Sequence, residues 1–204
     1  SAGRDSQAGD VKDILHIGLH EHILRKRSES VYFTPEGELP VGTRRLVEAM
    51  VETLKAHCAM GLAAPQVNEP LRIIVVDEAR CWAADGVTLT GNRPAPLVLI
   101  DPVIVEYSRK TATHREACLS IPGYETEVER PAHVTVRALS TTHESFKFEA
   151  SGWFAVALQH EIDHLAGKLF IDRGSVLKRE WFKKYLKKER TGRVHADWHE
   201  GTAQ

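Results

Sequence analysis

Apolar residues at helical spacing predict one long helix early in the chain. Between Gly42-Thr43 and about Ala56 they recur every three or four positions, as on one face of a helix. The residues concerned are Leu46, Val47, Met50, Val51 and Leu54. The stretch before this helix, through about Pro40, is polar and punctuated by proline and glycine, so we expect a partly ordered arm there rather than a packed unit.

Two runs rich in β-branched residues predict strands in the middle of the chain. The first is Leu71–Asp77 and the second is Pro96–Tyr107, in which Pro102 indicates a kink or an edge position. Between them, residues 78–94 carry the signals of turns, so we expect a loop or hairpin excursion.

Two further strands and a helix follow. His133–Leu139 and Ser145–Ala150 alternate polar and apolar residues, which predicts a pair of strands on one half-buried sheet. Ser151-Gly152 is suited to begin a helix, and Gly167 to end it.

The last predicted helix follows Ser175, a favourable N-cap residue. Its apolar residues gather on one side, and its other side is basic. The apolar set is Leu177, Trp181, Phe182, Tyr185 and Leu186. The basic set is Lys178, Arg179, Lys183, Lys184, Lys187, Lys188 and Arg190. An ordinary solvated face accounts for this charge, and contact with ribosomal RNA phosphates is the alternative.

The composition of the 204 residues favours one soluble globular domain, with 42% hydrophobic and 27% charged residues. A formal net charge of -1 supplies no overall field that would attract nucleic acid or a membrane surface. No apolar run approaches the roughly 18 residues of a membrane-spanning helix. We therefore expect no membrane contact.

The three cysteines, Cys58, Cys81 and Cys118, are odd in number and lack C-x-x-C spacing. This pattern argues against a secreted disulfide framework and favours a reducing compartment. Each thiol is then free for other chemistry.

One helical motif carries candidate chemistry. His160 and His164 are four residues apart, so both imidazoles can face one metal ion, and Glu161 can reach a water molecule on that ion. The alternative is an ordinary helix whose histidines form local hydrogen bonds. The motif lies among apolar residues, where two histidines and a glutamate without a partner would be costly to bury.

Two imidazoles need a further protein ligand. A downstream glutamate or histidine would indicate a zinc protease, whereas a thiolate would indicate a different class. Among the thiols Cys118 is the best placed, at a predicted strand end ahead of a Pro-Gly turn. Its other interpretation is a small buried hydrophobic residue.

Three stretches resemble the motifs of one family in the same order. They are AMGLAAPQ at Ala59–Gln66, EACLS at Glu116–Ser120 and QHEIDHLAG at Gln159–Gly167. The chain resembles a peptide deformylase, whose motifs run G-x-G-x-A-A-x-Q, E-G-C-x-S and H-E-x-D-H. The similarity spans about residues 23–173.

The resemblance implies an α+β fold, with antiparallel β-sheets around a central H-E-x-D-H helix and a C-terminal helix. It implies an N-terminal arm at 1–22, one catalytic domain at 23–190 and a polar tail at 191–204. It also implies that Cys118, His160 and His164 bind one divalent metal ion, natively Fe²⁺, with Zn²⁺, Ni²⁺ or Co²⁺ as substitutes. A thiolate with two imidazoles is compatible with all four metals.

The implied reaction removes the N-formyl group from the N-terminal methionine of newly made polypeptides. Glu161 would act as the base toward a water activated by the metal, and would return the proton to the departing amine. The Gln66 side-chain amide and the Leu119 backbone N–H would stabilise the charge on the formyl oxygen. Glu116 and Asp163 would hold and neutralise the surroundings.

Eight positions match those around the substrate. They are Ala59, Met60, Gly61, Glu116, Ala117, Trp153, Val156 and Ala157. Gly61 would let the substrate backbone approach closely, and plain core packing is the alternative role for the others.

Two family glycines are replaced, by Ala59 and Ala117. Each added methyl group would intrude into the peptide channel or demand a backbone angle that alanine tolerates poorly. Our hypothesis is weakened or altered substrate access with the metal and the base intact. The alternatives are a catalytically silent, deformylase-like binding protein that retains a structural metal, and a metalloprotease.

Formylated nascent peptides occur in bacteria and organelles, and we favour a mitochondrial or other organelle matrix over the bacterial cytoplasm. Two other histidine groups have spacing that a metal can use, but they lie in poorly patterned terminal segments. They are His16, His20 and His22, and His195 and His199.

Overall fold

A computed structural model describes residues 10–191. The helices are α1 (Ile17–Leu24), α2 (Val41–Ala56), α3 (Glu78–Ala84), α4 (Gly152–Leu165) and α5 (Val176–Arg190). The strands are β1 (Gly61–Ala63), β2 (Ile73–Val76), β3 (Leu97–Tyr107), β4 (Thr111–Cys118), β5 (Ile121–Pro131), β6 (His133–Leu139) and β7 (Ser145–Ser151). Because every pairing between these strands is antiparallel, the predicted α+β class is confirmed.

The strands form two sheets. One has five strands in the order β1-β2-β3-β6-β7, and the other is the β4-β5 pair. The sequence pattern did not predict β1 or β5, and of β4 it predicted only the strand end at Cys118. β4 and β5 are rich in charged residues and expose much of their surface, so their apolar alternation is weak.

Pro102 lies in β3, which is the central strand of the five-stranded sheet. Proline has no N–H to donate, and the register of β3 against β6 shifts between Ile100 and Val103. The predicted kink is confirmed, although β3 is not at the sheet edge.

α4 packs against the five-stranded sheet and carries the H-E-x-D-H motif. Leu158 on α4 and Val136 on β6 are both fully buried in the same core cluster. Gly167 follows α4 with a φ of +70°, and a side chain there would overlap the backbone carbonyl of Arg25. Gly167 therefore ends the helix, as predicted, and also admits the N-terminal segment.

The N-terminal segment is packed, so the prediction of a loosely packed arm is wrong for residues 10–40. Ile17 and Leu24 are fully buried. The backbone N–H of Leu15 donates to the carbonyl of Gln66, and that of Ile17 donates to the carbonyl of Ser120, both at 2.8 Å. These partners lie far away in sequence, where a local hydrophobic pattern cannot reveal them.

The division of the chain at residues 22 and 190 stays a prediction. Residues 1–9 and 192–204 lie outside the described residues. They include His195, His199 and almost all of the predicted tail.

Residues 78–94 are not wholly a loop, because α3 occupies their first part. The Asp77 side chain accepts a hydrogen bond from the backbone N–H of Arg80 and caps this helix. Cys81 is fully buried on its inner face. A helix of two turns is too short to show a clear helical period.

α5 confirms the predicted final helix and its N-cap, Ser175. Phe182 is buried and the hydroxyl of Tyr185 donates to the carbonyl of Pro122 at 2.6 Å. Leu177 and Trp181, which belong to the same apolar set, are 59% and 55% exposed. Within residues 10–191, no helix has both the length and the apolarity needed to cross a membrane.

Candidate active site

Three potential metal ligands meet where the end of β4 lies against α4. Cys118 ends β4, and His160 and His164 lie one turn apart on α4. One ligand atom from each of the three lies within 4.8 Å of the others, and all three side chains are buried. Across residues 10–191 no other group of at least three such side chains meets this criterion, so His16, His20 and His22 form none.

The surroundings favour a cation between these side chains. Burial lowers the pKa of His164 to about 3, so its imidazole is neutral and has a lone pair to offer. For His160, burial opposes protonation, but hydrogen bonds to Cys118 and Glu116 raise its pKa well above the usual value. A site that attracts a proton this strongly also suits a metal ion.

Glu161 lies next to the three ligands and is only 4% exposed. Burial raises its pKa to about 7. Its Oε2 atom has no hydrogen-bond partner among the described residues. An unsatisfied buried carboxylate oxygen is costly unless a further group binds it, so this atom is available to a water molecule or a substrate.

A buried ion-pair network holds the outer side of the site. Nδ1 of His160 lies 2.9 Å from Oε2 of Glu116. Arg130 donates to Glu116 at 2.5 and 2.9 Å and to Asp163 at 2.8 Å. Burial opposes the charge on Glu116, but its bonds to Arg130 and His160 lower its pKa to about 2.

Asp163 receives two more hydrogen bonds from Arg173, at 2.7 and 2.8 Å. Arg130 is 1% exposed and joins β5, β4 and α4 through one guanidinium group. Sequence reasoning missed Arg130. The presence of Glu116 and Asp163 among apolar residues was the available signal, because buried carboxylates require a cationic partner.

The side chain of Gln66 is fixed in orientation. Its Oε1 atom accepts a hydrogen bond from the backbone N–H of Ala63 at 2.9 Å. Its Nε2 atom donates to Ser120 at 3.2 Å and faces Sγ of Cys118 at 3.5 Å. The amide N–H groups therefore point toward the candidate metal ligands.

A cavity of about 490 Å³ opens onto this cluster. Of the predicted metal ligands, catalytic groups and substrate-binding residues, His164 alone is absent from its lining. The others lining it are Ala59, Met60, Gly61, Gln66, Glu116, Ala117, Cys118, Leu119, Trp153, Val156, Ala157, His160 and Glu161. Sequence reasoning missed five lining residues, His57, Cys58, Arg115, Pro122 and Gly123. Their only signal was proximity in sequence to the motifs.

Ala59 and Ala117 both line the cavity, and neither has a positive φ. The expected backbone strain at these positions is therefore absent. Gly61 has a role that the sequence did not reveal, because its missing side chain leaves room for Glu161.

Trp153 is anchored from outside the cavity. Both carboxylate oxygens of Asp85 accept hydrogen bonds from the backbone N–H of Trp153, at 3.0 and 3.3 Å. Asp85 follows α3, so this short helix supports the first turn of α4.

Comparisons with known proteins agree with the geometry. The family model described as polypeptide deformylase matches residues 11–180. A peptide deformylase from Mesorhizobium japonicum is 41% identical over 84% of this chain and 90% of its own length. One from Phenylobacterium zucineum is 45% identical over 71% of this chain and 80% of its own.

Solved structures show the same likeness. The peptide deformylase of Legionella pneumophila superposes with a TM-score of 0.74 and 32% identity, covering 91% of this chain and 98% of its own. That of Ehrlichia chaffeensis in complex with actinonin superposes with a TM-score of 0.71 and 35% identity, covering 89% of this chain and 99% of its own.

Proposed function

The chain belongs to the polypeptide deformylase family, and on that premise we propose which of its residues carry the reaction. It is a deformylase-type hydrolase, whose substrates are formylated nascent peptides. The observation that supports the assignment of roles is that Cys118, His160 and Glu161 line one cavity, with His164 grouped with the first two as a third possible ligand.

Cys118, His160 and His164 would hold one divalent cation. A thiol sulfur and two imidazole nitrogens are suitable donors, and the ring nitrogen of His160 that faces Glu116 leaves the other free for the metal. When bound, the cation acts as a Lewis acid and lowers the pKa of water, which provides a nucleophile near neutral pH. We propose Fe²⁺ as the native ion and Zn²⁺, Ni²⁺ or Co²⁺ as substitutes.

Glu161 is the proposed general base and acid. Water adds its oxygen to the formyl carbon, and Glu161 takes the proton that this water loses. The carbon–nitrogen bond then breaks, and Glu161 transfers the proton to the departing amine nitrogen. Formate and a peptide with a free N-terminal methionine result. The raised pKa of Glu161 suits a group that must both accept and release a proton near neutrality.

Gln66 and Leu119 are the proposed donors to the formyl oxygen. The Gln66 amide is held with its N–H groups toward Cys118, and Leu119 follows Cys118 in the cavity wall. Preorganised donors stabilise developing negative charge because they need no rearrangement during the reaction. A neutral carboxamide does this without repelling the metal.

Ala59 and Ala117 narrow the access of the peptide in this proposal. Each contributes a methyl group to the cavity wall where the family motif has glycine. The expected result is weaker activity, or a preference for a different formylated substrate, with the metal and Glu161 intact.

Formate release from formyl-Met-Ala-Ser by anaerobically iron-loaded protein tests the proposal. We expect turnover that requires one bound metal ion per chain and that ceases on chelation. Turnover by metal-free protein would contradict the role of the three ligands. Cleavage of the unformylated peptide would instead indicate a protease.

The basic side of α5 is a proposed contact for the ribosome near the nascent chain. Trp181 is exposed beside it, and several lysines lie on the outer surface. Binding to ribosomes should fall steeply with salt, and replacement of Lys184, Lys187 and Lys188 by glutamate should abolish it. Absence of binding at low salt would refute this contact. An organellar setting stays a prediction.

A further inference from the structure

The rim of the cavity carries one arginine, and no other lysine or arginine lines the cavity among the described residues. The side chain of Arg115 is 66% exposed, whereas His160 and Glu161 at the floor are 8% and 4% exposed. The formyl group must reach the floor in the proposed reaction. The peptide that follows it must therefore leave across the rim, past Arg115.

The geometry of β4 relates Arg115 to a position in the substrate. Arg115 and Ala117 are two residues apart in β4, so their side chains lie on the same, exposed face. Cys118 is three residues beyond Arg115, which corresponds to about 10 Å along the strand. An extended peptide covers the same length in three residues. Arg115 is thus level with the third residue of a formylated peptide.

The guanidinium group of Arg115 can bind a second carboxylate. Its Nε atom donates to Oε1 of Glu125 at 2.6 Å, and Glu125 is the one ion-pair partner of Arg115 among residues 10–191. The Glu125 side chain is itself 53% exposed, so solvent screens the pair and a substrate carboxylate can compete for Arg115.

The two acidic side chains that line the cavity do not prevent a substrate carboxylate from binding Arg115. Glu116 is buried against Arg130 and His160, and Glu161 is at the floor. An approaching acidic residue therefore meets the positive charge of Arg115 first.

We propose that Arg115 makes the enzyme select formylated peptides with an acidic residue at the third position. This selection rests on the proposed function, since it acts on the same cavity. It adds a substrate class: nascent chains that begin with formyl-methionine, one further residue and then aspartate or glutamate.

The test compares formyl-Met-Ala-Glu, formyl-Met-Ala-Lys and formyl-Met-Ala-Ser at low salt. For the wild type we expect kcat/KM for the Glu peptide to exceed that for the Lys peptide about three- to tenfold, mainly through KM. Arg115→Gln should remove the preference, and Arg115→Glu should invert it. High salt should reduce it, because the rim is exposed.

Arg137→Glu is the matched control. Arg137 is an exposed arginine on β6 that does not line the cavity, so its reversal changes the net charge equally and should leave the preference intact. Thermal melting establishes that each variant is folded. If a variant is unfolded, the preference of the wild type for the Glu peptide and the salt dependence of that preference alone test the selection.

Equal kcat/KM for the Glu and Lys peptides, or a preference unchanged by Arg115→Glu, would overturn the selection. Hydrolysis of formyl-Met-Ala-Ser by the wild type separates this outcome from a failure of the proposed function. If the neutral peptide is hydrolysed, only the role of Arg115 fails. If it is not, both fail.

Discussion

A side chain on Gly61 would collide with the carboxylate side chain of Glu161. An ideal Cβ atom at Gly61 would lie 2.6 Å from Cγ and 2.7 Å from Oε1 of Glu161. Contacts this short do not occur in folded proteins, so Glu161 would have to move. The glycine of the first motif thus determines where the proposed base of the third motif lies.

Gly61→Ala is therefore expected to lower kcat by about 10- to 100-fold, since a displacement of the order of 1 Å costs this much at a catalytic group. Metal content should be unchanged, because the three atoms nearest an added Cβ at Gly61 all belong to Glu161 and not to a ligand. Gly42→Ala is the control: Gly42 lies in α2 with no atom within 4 Å of its ideal Cβ. Formate release and metal analysis measure both effects. Equal kcat values for the two variants would contradict the link between Gly61 and Glu161.

Glu161→Gln is expected to lower kcat by about 10² to 10⁴, the usual contribution of a general acid–base group. The amide has nearly the same shape, but it cannot accept the proton from water. Bound metal should stay at the wild-type level. A catalytically silent binding protein would instead keep its binding function in this variant. Turnover by Glu161→Gln at the wild-type rate would exclude Glu161 as the base.

Arg130→Met is expected to lower the free energy of unfolding by about 3–5 kcal/mol, because it leaves the buried carboxylate of Glu116 without its arginine partner and leaves Asp163 with Arg173 alone. Arg130→Lys should lower it less, since the charge remains while the paired hydrogen bonds to Glu116 are lost. Arg44→Met is the control, because the Arg44 side chain is 55% exposed and lies 4.0 Å from Glu38. Its effect should stay within about 1 kcal/mol. Urea unfolding at a fixed metal concentration gives these values, and similar losses for Arg130→Met and Arg44→Met would contradict the prediction.

Restoring both family glycines, in Ala59→Gly/Ala117→Gly, is expected to raise kcat/KM for formyl-Met-Ala-Ser by about tenfold, the usual effect of one or two carbons in a pocket. The stability of the protein should fall slightly, because glycine is more flexible in the unfolded chain. Ala112→Gly, on β4 but outside the cavity lining, should lower stability without raising activity. No gain in the double variant would show that the methyl groups do not hinder the substrate.

Thiol reactivity should distinguish the three cysteines. Cys58 is exposed at the rim and should react at once with a disulfide reagent. Cys81 is fully buried, and burial, followed by Asp77, raises its pKa to about 12. It should react only after unfolding, because the thiolate is the reactive form. In metal-loaded protein one thiol should therefore react fast, and Cys58→Ser should remove that phase. A fast phase that persists in Cys58→Ser would identify another accessible thiol.

The candidate site could largely be predicted from the sequence, because its chemistry is encoded locally. His160 and His164 share a helix face through their spacing alone, and α4 begins and ends where Gly152 and Gly167 indicate. The local pattern made Cys118 the best-placed thiol, but its role as a ligand came only from the resemblance, since nothing local reveals that the end of β4 meets α4. Arg130 and Asp85 could not be found, because each acts on a residue distant in sequence.

The fold was predictable where burial follows a regular period. α2 and β6 show clear apolar patterns and were found. β5 and most of β4 were missed because much of their surface is polar, and only the end of β4 at Cys118 was predicted. The segment around Ile17 was missed for a different reason: its few apolar residues are buried by the distant helix α5 and by the loop around Ser120.

The proposed ligands come from the β4-β5 pair and from helix α4, and this affects how the protein comes to be folded. Cys118 and His164 are 46 residues apart in the chain, and only the folded state brings them together. A cation that binds all three ligands therefore acts as a reversible cross-link between the β4-β5 pair and α4, and its binding energy adds to the stability of the native state. The metal supply of the cell then governs how much of the polypeptide stays folded, as well as its catalytic rate. Under metal starvation the amount of intact protein should decline together with its activity.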